Sequence, residues 1–525
     1  MLLLLLLAAW SMPATPPAAA AEPDWPKVRH RLAGGILHWG GDAEGGAPFQ
    51  LRDPHDPQRV IGFEVELADA LAEVLAERLN IPLEARFVQY DWGSLMPGLN
   101  KGDFDVILSG FEVTGERRRE LLFSRPYYIY AQQLVVRRDE TRIAGLDDCP
   151  GKLVGTLAGS AAERLLERRG LAITSYDGQV EPYLDLELGR LDAVLLDTPI
   201  VTYYGGTNPK LKLAGNPLGH GEYALAARRG DRELIAAIDQ ALGALMASGR
   251  VLDIYRRWHL WNPDQARLAA GPNRARELAG LGFDAAGSPR PELAAPPPDA
   301  VDVDIIATSA QLWTFDQYAP LLLRAAMMTV GLTVASMAVA MLIGLVVVLC
   351  RLYGAMPLRW LALAYVEFFR GIPLLLLLFF LYYGLSAYGL GLPAVATAII
   401  GFGLNYAAYE AEIYRSAILS VPTRQWEAAR ALGMPEVLAF RRIIFPQAIR
   451  TALGPMTNDV VALFKDTSLV SVIAVRELTK EYLILSRSSL KFVELGLLTA
   501  ALYLAMSVPL GYLSRWLEKR WGASR

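Results

Sequence analysis

From Ala33 to Asn262, short runs of Leu and β-branched residues alternate with stretches whose apolar positions recur at helical spacing, the pattern of an α/β domain. Leu67, Leu71, Val74 and Leu75 fall on one face of a helix expected over Glu64 to Leu79, and that face needs a sheet to cover it. Two segments echo each other: Gly102-Asp103-Phe104-Asp105-Val106-Ile107-Leu108-Ser109 and Gly189-Arg190-Leu191-Asp192-Ala193-Val194-Leu195-Leu196-Asp197. Each reads as a turn, an Asp, a buried strand and a polar residue at the strand's carboxyl end. Ligands of open α/β sheets bind beyond those ends, so two such lobes facing each other place Ser109 and Asp197 in one cleft. Two ordinary buried strands with polar ends give the same pattern.

From Pro263 to about Thr308 the periodicity fades into Gly, Ala and Pro, including Pro296-Pro297-Pro298, which predicts an extended linker over 263–314. The chain then turns apolar. Ala325 to Cys350 carries no charge over 26 positions, long enough to cross a bilayer with tilt. Gly371 to Tyr409 is uncharged over 39 residues and divides at Gly384–Pro393 into two spans, the first starting near Trp360. A polar-interrupted span over Ala452 to Val475 and a last one over Leu495 to Leu513 bring the expected total to five transmembrane helices in a domain covering 315–525. Arg351 and Arg359 lie between spans one and two, Arg415, Arg424, Arg430, Arg441, Arg442 and Arg450 between three and four, and Arg515, Lys519, Arg520 and Arg525 after five. Placing these basic groups in the cytoplasm puts the carboxyl terminus inside and the amino-terminal domain outside.

Leu2 to Trp10 is apolar but too short to span, and small residues continue to Ala21, which predicts a secretory signal peptide over 1–21 and export of the domain behind it. Charge bias and leader thus agree on the side. The two cysteines, Cys149 and Cys350, support neither a disulfide framework nor a metal site, and no cofactor is expected. A net charge of −3 without a basic tract excludes nucleic acid as a partner.

Gln425-Trp426-Glu427-Ala428-Ala429-Arg430-Ala431-Leu432-Gly433, with Ile443-Ile444-Phe445-Pro446 after it, resembles the EAA loop of ABC-importer permeases, with Phe445 where the family has Leu. Pro422 can open a short helix and Gly433 can end it, leaving a stub that projects from the membrane. The resemblance implies docking onto a cytoplasmic ABC ATPase through Glu427, Ala428, Ala429 and Gly433, in a homodimer of permease domains. No Gly-x4-Gly-Lys-Ser/Thr pattern occurs, so the ATPase is expected on another subunit and no catalytic residue on this one. Phe368-Phe369-Arg370-Gly371-Ile372-Pro373-Leu374-Leu375 and Lys465-Asp466-Thr467-Ser468-Leu469-Val470-Ser471 narrow the likeness to the polar amino-acid permeases of the histidine and glutamine type, over Leu323 to Glu518. Charged groups in a membrane need a partner or a polar cavity, so Lys465 and Asp466 form an internal ion pair or line a translocation pathway.

The domain at 22–262 resembles the matching periplasmic amino-acid-binding proteins, two-lobed α/β flytraps, through Gly62-Phe63-Glu64-Val65-Glu66-Leu67, Asp91-Trp92-Gly93-Ser94-Leu95, Thr114-Gly115-Glu116-Arg117, Phe123-Ser124-Arg125-Pro126-Tyr127-Tyr128 and Asp197-Thr198-Pro199. The resemblance implies that Arg117 forks onto a ligand carboxylate, Asp197 accepts the ligand ammonium and Trp92 packs on its side chain. A Trp of the core is the plainer reading of Trp92. Ser160-Ala161-Ala162-Glu163 has capping-box order, so Ser160 either adds donors toward the same carboxylate or simply caps a helix. Two residues beyond the Ser109-Gly110 pair, where the family has Thr or Ser, this chain has Glu112, and Gly46 replaces a first-lobe aromatic. Asp42, Glu44 and Glu112 can form an acidic wall that favours a basic amino acid; alternatively Glu112 pairs with Arg117 or a neighbouring Arg.

The expected function is import of a polar amino acid across the cytoplasmic membrane, by a receptor and permease in one chain in contact with membrane lipid. Two other classes join or share a flytrap: a ligand-gated channel, which needs no EAA-type loop, and a flytrap-fold dehydratase, for which the membrane spans are a poor fit.

Overall fold

The computed structural model describes residues 22–293, 296–305, 312–388, 390–473 and 475–522, so the expected signal peptide lies outside the described residues. The chain forms two compact units, one made of Met1–Gly41, Gly62–Val88 and Asp103–Val303, the other of Asp42–Ile61, Gln89–Gly102 and Asp304–Arg525.

Among the described residues ten strands occur in chain order: β1 (Ile36–Gly41), β2 (Leu51–Arg52), β3 (Val60–Ile61), β4 (Glu84–Gln89), β5 (Val106–Ile107), β6 (Leu121–Arg137), β7 (Leu153–Leu157), β8 (Ala172–Tyr176), β9 (Ala193–Asp197) and β10 (Leu211–Arg228). The first unit is built on one eight-stranded sheet in the order β4-β1-β5-β10-β6-β9-β7-β8. β1 runs parallel to β5, and β7 runs parallel to both β8 and β9. Between these two parallel sets lie β6 and β10, 17 and 18 residues long and antiparallel to each other. The carboxyl end of β10 pairs with β5 at Ala226 and Ile107, while the carboxyl end of β6 pairs with β9 from Gln132–Asp197 to Val136–Ala193. Two long strands therefore carry both halves of the sheet, and register shifts near their middle, between Ala214 and Ala226 of β10, interrupt the ladder there. This is the two-lobed α/β domain expected.

The helix Phe63–Leu79 forms where predicted, with Leu67, Leu71 and Leu75 fully buried and Asn80 closing it in the left-handed conformation. Its Glu64, also buried, accepts the Gly110 N–H at 2.6 Å and the Tyr127 hydroxyl, which ties the helix to the segment after β5.

The stretch from Pro263 is not extended at its start, contrary to the composition. Pro263–Leu268 makes 3-10 turns and Arg274–Gly280 a helix, and Leu278, Leu281 and Phe283 are fully buried. Arg125 grips Glu277 through both guanidinium nitrogens at 2.7 Å, and Gln265 exchanges two hydrogen bonds with the backbone of Ile129 on β6. Three spaced apolar anchors suffice to hold a Gly- and Ala-rich segment whose average composition is that of a linker.

The second unit contains the helices Phe315–Tyr353, Met356–Gly371, Leu374–Phe379, Ala394–Leu419, Thr423–Ala431, Phe445–Asp466, Leu478–Ser489 and Phe492–Gly522. Phe315–Tyr353 and Phe492–Tyr512 are long and apolar enough to cross a membrane unaided. The second expected span is broken: Met356–Gly371 and Leu374–Gly384 meet at 104°, because Pro373 lacks an N–H and disfavours helical geometry at Ile372. The fourth ends its α-helix at Asp466 and continues in 3-10 turns over Thr467–Ile473. Helix length and hydropathy thus support a helical membrane domain without fixing five crossings.

Residues 42–61 and 89–102 belong to this helical unit too. β2 and β3 pair antiparallel in the first of them. Against the helix Leu478–Ser489, Glu44 meets both Lys480 and Arg487, Asp91 meets Lys480, and Arg52 lies 3.4 Å from Glu481, which Arg476 also holds at 2.5 Å. Lys480 and Glu44 are 2% and 5% exposed at the side chain and Arg52 and Glu481 4% each, so the Glu44–Lys480 and Arg52–Glu481 pairs are shielded from water. The Tyr90 and Tyr382 hydroxyls meet at 2.5 Å.

Candidate functional site

In the first unit the residues after β5 face the turn after β7. Gly110 has φ +57°, a left-handed geometry that glycine adopts without strain, and its N–H is turned to Glu64. Ser109 beside it is buried. Glu112, 2% exposed, pairs with Tyr223 in an isolated bridge, and its side chain reaches the start of the helix Ala161–Arg168. There the Ala161 N–H donates to Glu112 Oε1 at 2.7 Å, and Arg164 Nη2 donates to Oε2 at 3.1 Å. Arg117 Nη1 lies 3.5 Å from the same Oε2 and donates to the Glu112 carbonyl at 3.0 Å, while its guanidinium covers the Phe111 ring at 4.2 Å. A helix N-terminus and two guanidinium groups thus converge on one carboxylate. Burial pushes the Glu112 carboxyl up from its ordinary range and Arg117 pulls it back; burial also lowers the Arg117 pKa.

Of the two readings left open for Glu112, its pairing with Arg117 is the one observed. Ser160 is the N-cap: its Oγ accepts the Glu163 N–H at 3.1 Å, Glu163 reaches back to the Gly159 N–H at 2.7 Å, and the Ser160 hydroxyl donates to the Leu157 carbonyl.

Asp197 closes β9 as predicted. It accepts Gln132 Nε2 at 2.6 Å and the Tyr223 hydroxyl, and the ring of Tyr130 stacks on Tyr223 at 4.4 Å. Burial first, and the charge of Glu112 second, push the Asp197 carboxyl up to about 8. Gln132 Oε1 is buried with no hydrogen-bond partner among the described residues. Sequence reasoning missed Arg164, Gln132, Tyr130 and Tyr223. Arg164 had a signal, since it sits one helical turn beyond Ser160; the other three come from β6 and β10, whose pairing is long-range.

Asp42 and Trp92 lie in the second unit. Asp42 accepts the N–H groups of Glu44 and Trp92 at 2.9 Å and Gln89 Nε2 at 3.0 Å, so it pins two loops together. Trp92 opens a half-buried 3-10 turn, Trp92–Ser94. The acidic Glu44 is matched by Lys480 and Arg487.

The predicted stub is the helix Thr423–Ala431, bounded by Pro422 and Gly433. Gly433 has φ +73°, its N–H donates to the Arg430 carbonyl, and the Met434 N–H donates to the Ala429 carbonyl, the paired bonds of a Schellman ending. Ala429 is fully buried, whereas Leu432 and Val437 are 79% and 80% exposed. Deeper in the unit, a cavity of about 450 Å3 is lined by Arg370, Asn405, Tyr406, Tyr409, Asp459 and Asp466 among others. Asp466 accepts the Tyr406 hydroxyl at 2.7 Å, while Lys465 is exposed, and no ion pair joins the two among the described contacts.

A two-lobed domain with a cation-lined seat, followed in the chain by long apolar helices and the short helix between Pro422 and Gly433, defines a solute-binding domain fused to a transport permease. Residues 39–260 match the bacterial extracellular solute-binding proteins, family 3, and residues 336–523 match the binding-protein-dependent transport system inner membrane component. A probable amino-acid ABC transporter permease protein of Bacillus subtilis (strain 168) is 41% identical over 37% of this chain and 85% of its own length. The L-cystine-binding protein of Escherichia coli (strain K12) is 30% identical over 40% of this chain and 78% of its own. Among solved structures, an ancestral arginine-binding protein bound to glutamine is similar at 30% identity, covering 43% of this chain and 98% of that one with a TM-score of 0.39. The chain belongs to the polar amino-acid ABC importers, as a family 3 solute-binding domain and a permease domain in one polypeptide. Neither a ligand-gated channel nor a dehydratase is favoured by these relatives.

Proposed function

We propose that this chain is both receptor and permease of an importer for a polar amino acid, working as a homodimer of five-span permease domains with two copies of a separate cytoplasmic ATPase. The observation that carries the reading is the presence, on one polypeptide, of the Arg117–Ala161–Arg164 anion seat with the nearby Asp197 and of the Gly433-terminated stub. An amino acid offers an anion and a cation at fixed separation. Arg117 and the Ala161 N–H suit its carboxylate; Asp197, with the Gln132 oxygen beside it, suits its ammonium. Closing the two lobes on that ligand turns binding into a shape change, and the stub passes ATP-driven motion to the membrane helices. The Asp466-lined cavity fits a polar step on the way inward. The binding domain then faces the periplasm and the carboxyl terminus the cytoplasm. The test is uptake of labelled amino acids into vesicles holding the full chain with its ATPase: ATP-dependent accumulation of one polar amino acid is expected, and accumulation of none, with the ATPase active, would sink the reading.

The raised carboxyl of Asp197 gives that binding a pH dependence. An ammonium binds the ionised form, whereas below about pH 8 the ligand-free site is increasingly protonated. Affinity therefore rises with pH by up to about tenfold per unit below pH 8 and levels off above it, with a proton released on binding. Calorimetric titration from pH 6 to 9 in buffers of different ionisation enthalpy checks both, and Asp197→Asn abolishes the slope along with most of the affinity.

A further inference from the structure

Glu112 stands where the resemblance places a Thr or Ser, and its carboxylate already holds the donors that a free amino acid's carboxylate would need. Ala161 N–H and Arg164 sit at hydrogen-bond distance, with Arg117 at 3.5 Å. Glu112 comes after β5, in the half of the sheet that holds β1 and β4; Ala161 and Arg164 open the helix after β7, in the other half. Arg117 also reaches across, donating to the Gly159 carbonyl at 3.4 Å. The two halves are thus bridged by a carboxylate belonging to the protein itself.

We propose that Glu112 is a tethered occupant of the ligand's anion seat: an incoming amino acid must displace it from Ala161 and Arg164, so this one side chain sets the affinity of the site and holds the lobes together when no amino acid is bound. The proposal rests on the receptor reading above. Its geometry separates it from the acidic-wall reading. A wall carboxylate must offer its charge to a cationic side chain, but the Glu112 carboxylate is 2% exposed and turned into two guanidinium groups and a helix N-terminus. A ligand that binds only when an internal group has moved away loses affinity in proportion to the fraction of molecules with the seat open. If Glu112 fills the seat in about 90 to 99% of molecules, the loss is about 10- to 100-fold.

Titration of the purified full chain with the twenty common amino acids tests this, comparing the parent with Glu112→Thr, Glu112→Gln and Arg117→Ala. Glu112→Thr is expected to bind the parent's ligand about 10- to 100-fold more tightly, and Glu112→Gln, which keeps the shape but not the charge, to fall between. The wall reading predicts the opposite sign, a loss for lysine or arginine. Unchanged or weaker binding by Glu112→Thr, with a parent-like melting profile, overturns the proposal. Should that variant fail to fold, the sign of the change in Glu112→Gln decides. Binding that Arg117→Ala weakens and neither Glu112 variant alters sinks the occupant alone; binding of no amino acid by any form sinks the receptor reading and the occupant with it.

Discussion

Replacing Arg117 by Ala lowers amino-acid affinity by at least about 30-fold, while Arg119→Ala leaves it unchanged. Truncating one partner of a buried, hydrogen-bonded charge pair costs about 2 kcal/mol or more, because the other charge stays desolvated without its counter-ion. Arg117 meets that condition: its side chain is 13% exposed and it lies over Phe111, next to the seat at Ala161. Arg164 shares the seat, so some affinity survives, and Arg117→Lys falls between because an ammonium keeps the charge but not the fork. Arg119, two residues on, is exposed and serves as the control. Calorimetry on the purified full chain measures all three; an Arg117→Ala variant that binds normally would remove Arg117 from the site.

Gly433→Val is expected to cut ligand-dependent uptake about tenfold or more while leaving amino-acid binding intact. Nothing of this chain lies within 4 Å of where a Cβ would stand at Gly433, so the expected effect does not come from a clash within the chain. It comes from φ +73°, where a residue bearing a Cβ costs about 1–2 kcal/mol and a β-branched one is a marked outlier. A nine-residue helix such as Thr423–Ala431 has little stability of its own to absorb that cost, and unwinding its Schellman ending frees the Ala429 and Arg430 carbonyls. Gly433→Asn tolerates the left-handed region and should retain most of the uptake. Equal loss in both variants would mean that Gly433 is needed for bare surface, not for its backbone conformation.

The stub was legible in the sequence because everything that shapes it is local. Pro422 and Gly433 start and stop a helix by their own backbone preferences, whatever surrounds them. Asp197 was legible for a similar reason, as the polar end of a buried five-residue strand. The donors around it were not. Gln132 and Tyr223 sit 65 and 26 residues from Asp197 and meet it only through the pairing of β6 with β9 and β10, which no short pattern announces. Pro373 was visible all along, yet the apolar run on either side of it masks a 104° break. The stretch from Pro263 misled in the opposite sense: composition suggested slack, whereas Leu278, Leu281 and Phe283 are spaced to anchor it.

The ion pairs around Leu478–Ser489 alternate in sign. Residues 42–61 supply an anion at Glu44 and a cation at Arg52, and the helix answers with Lys480 and Arg487 for the first and Glu481 for the second. A pattern with both signs is a key, since a shift along the helix sets like charges against each other in a place with little water. It limits exchange: a segment put in place of residues 42–61 would need a carboxylate and a guanidinium in that order to be accepted on this helix, and one lacking them would take these partners away from Lys480 and Glu481.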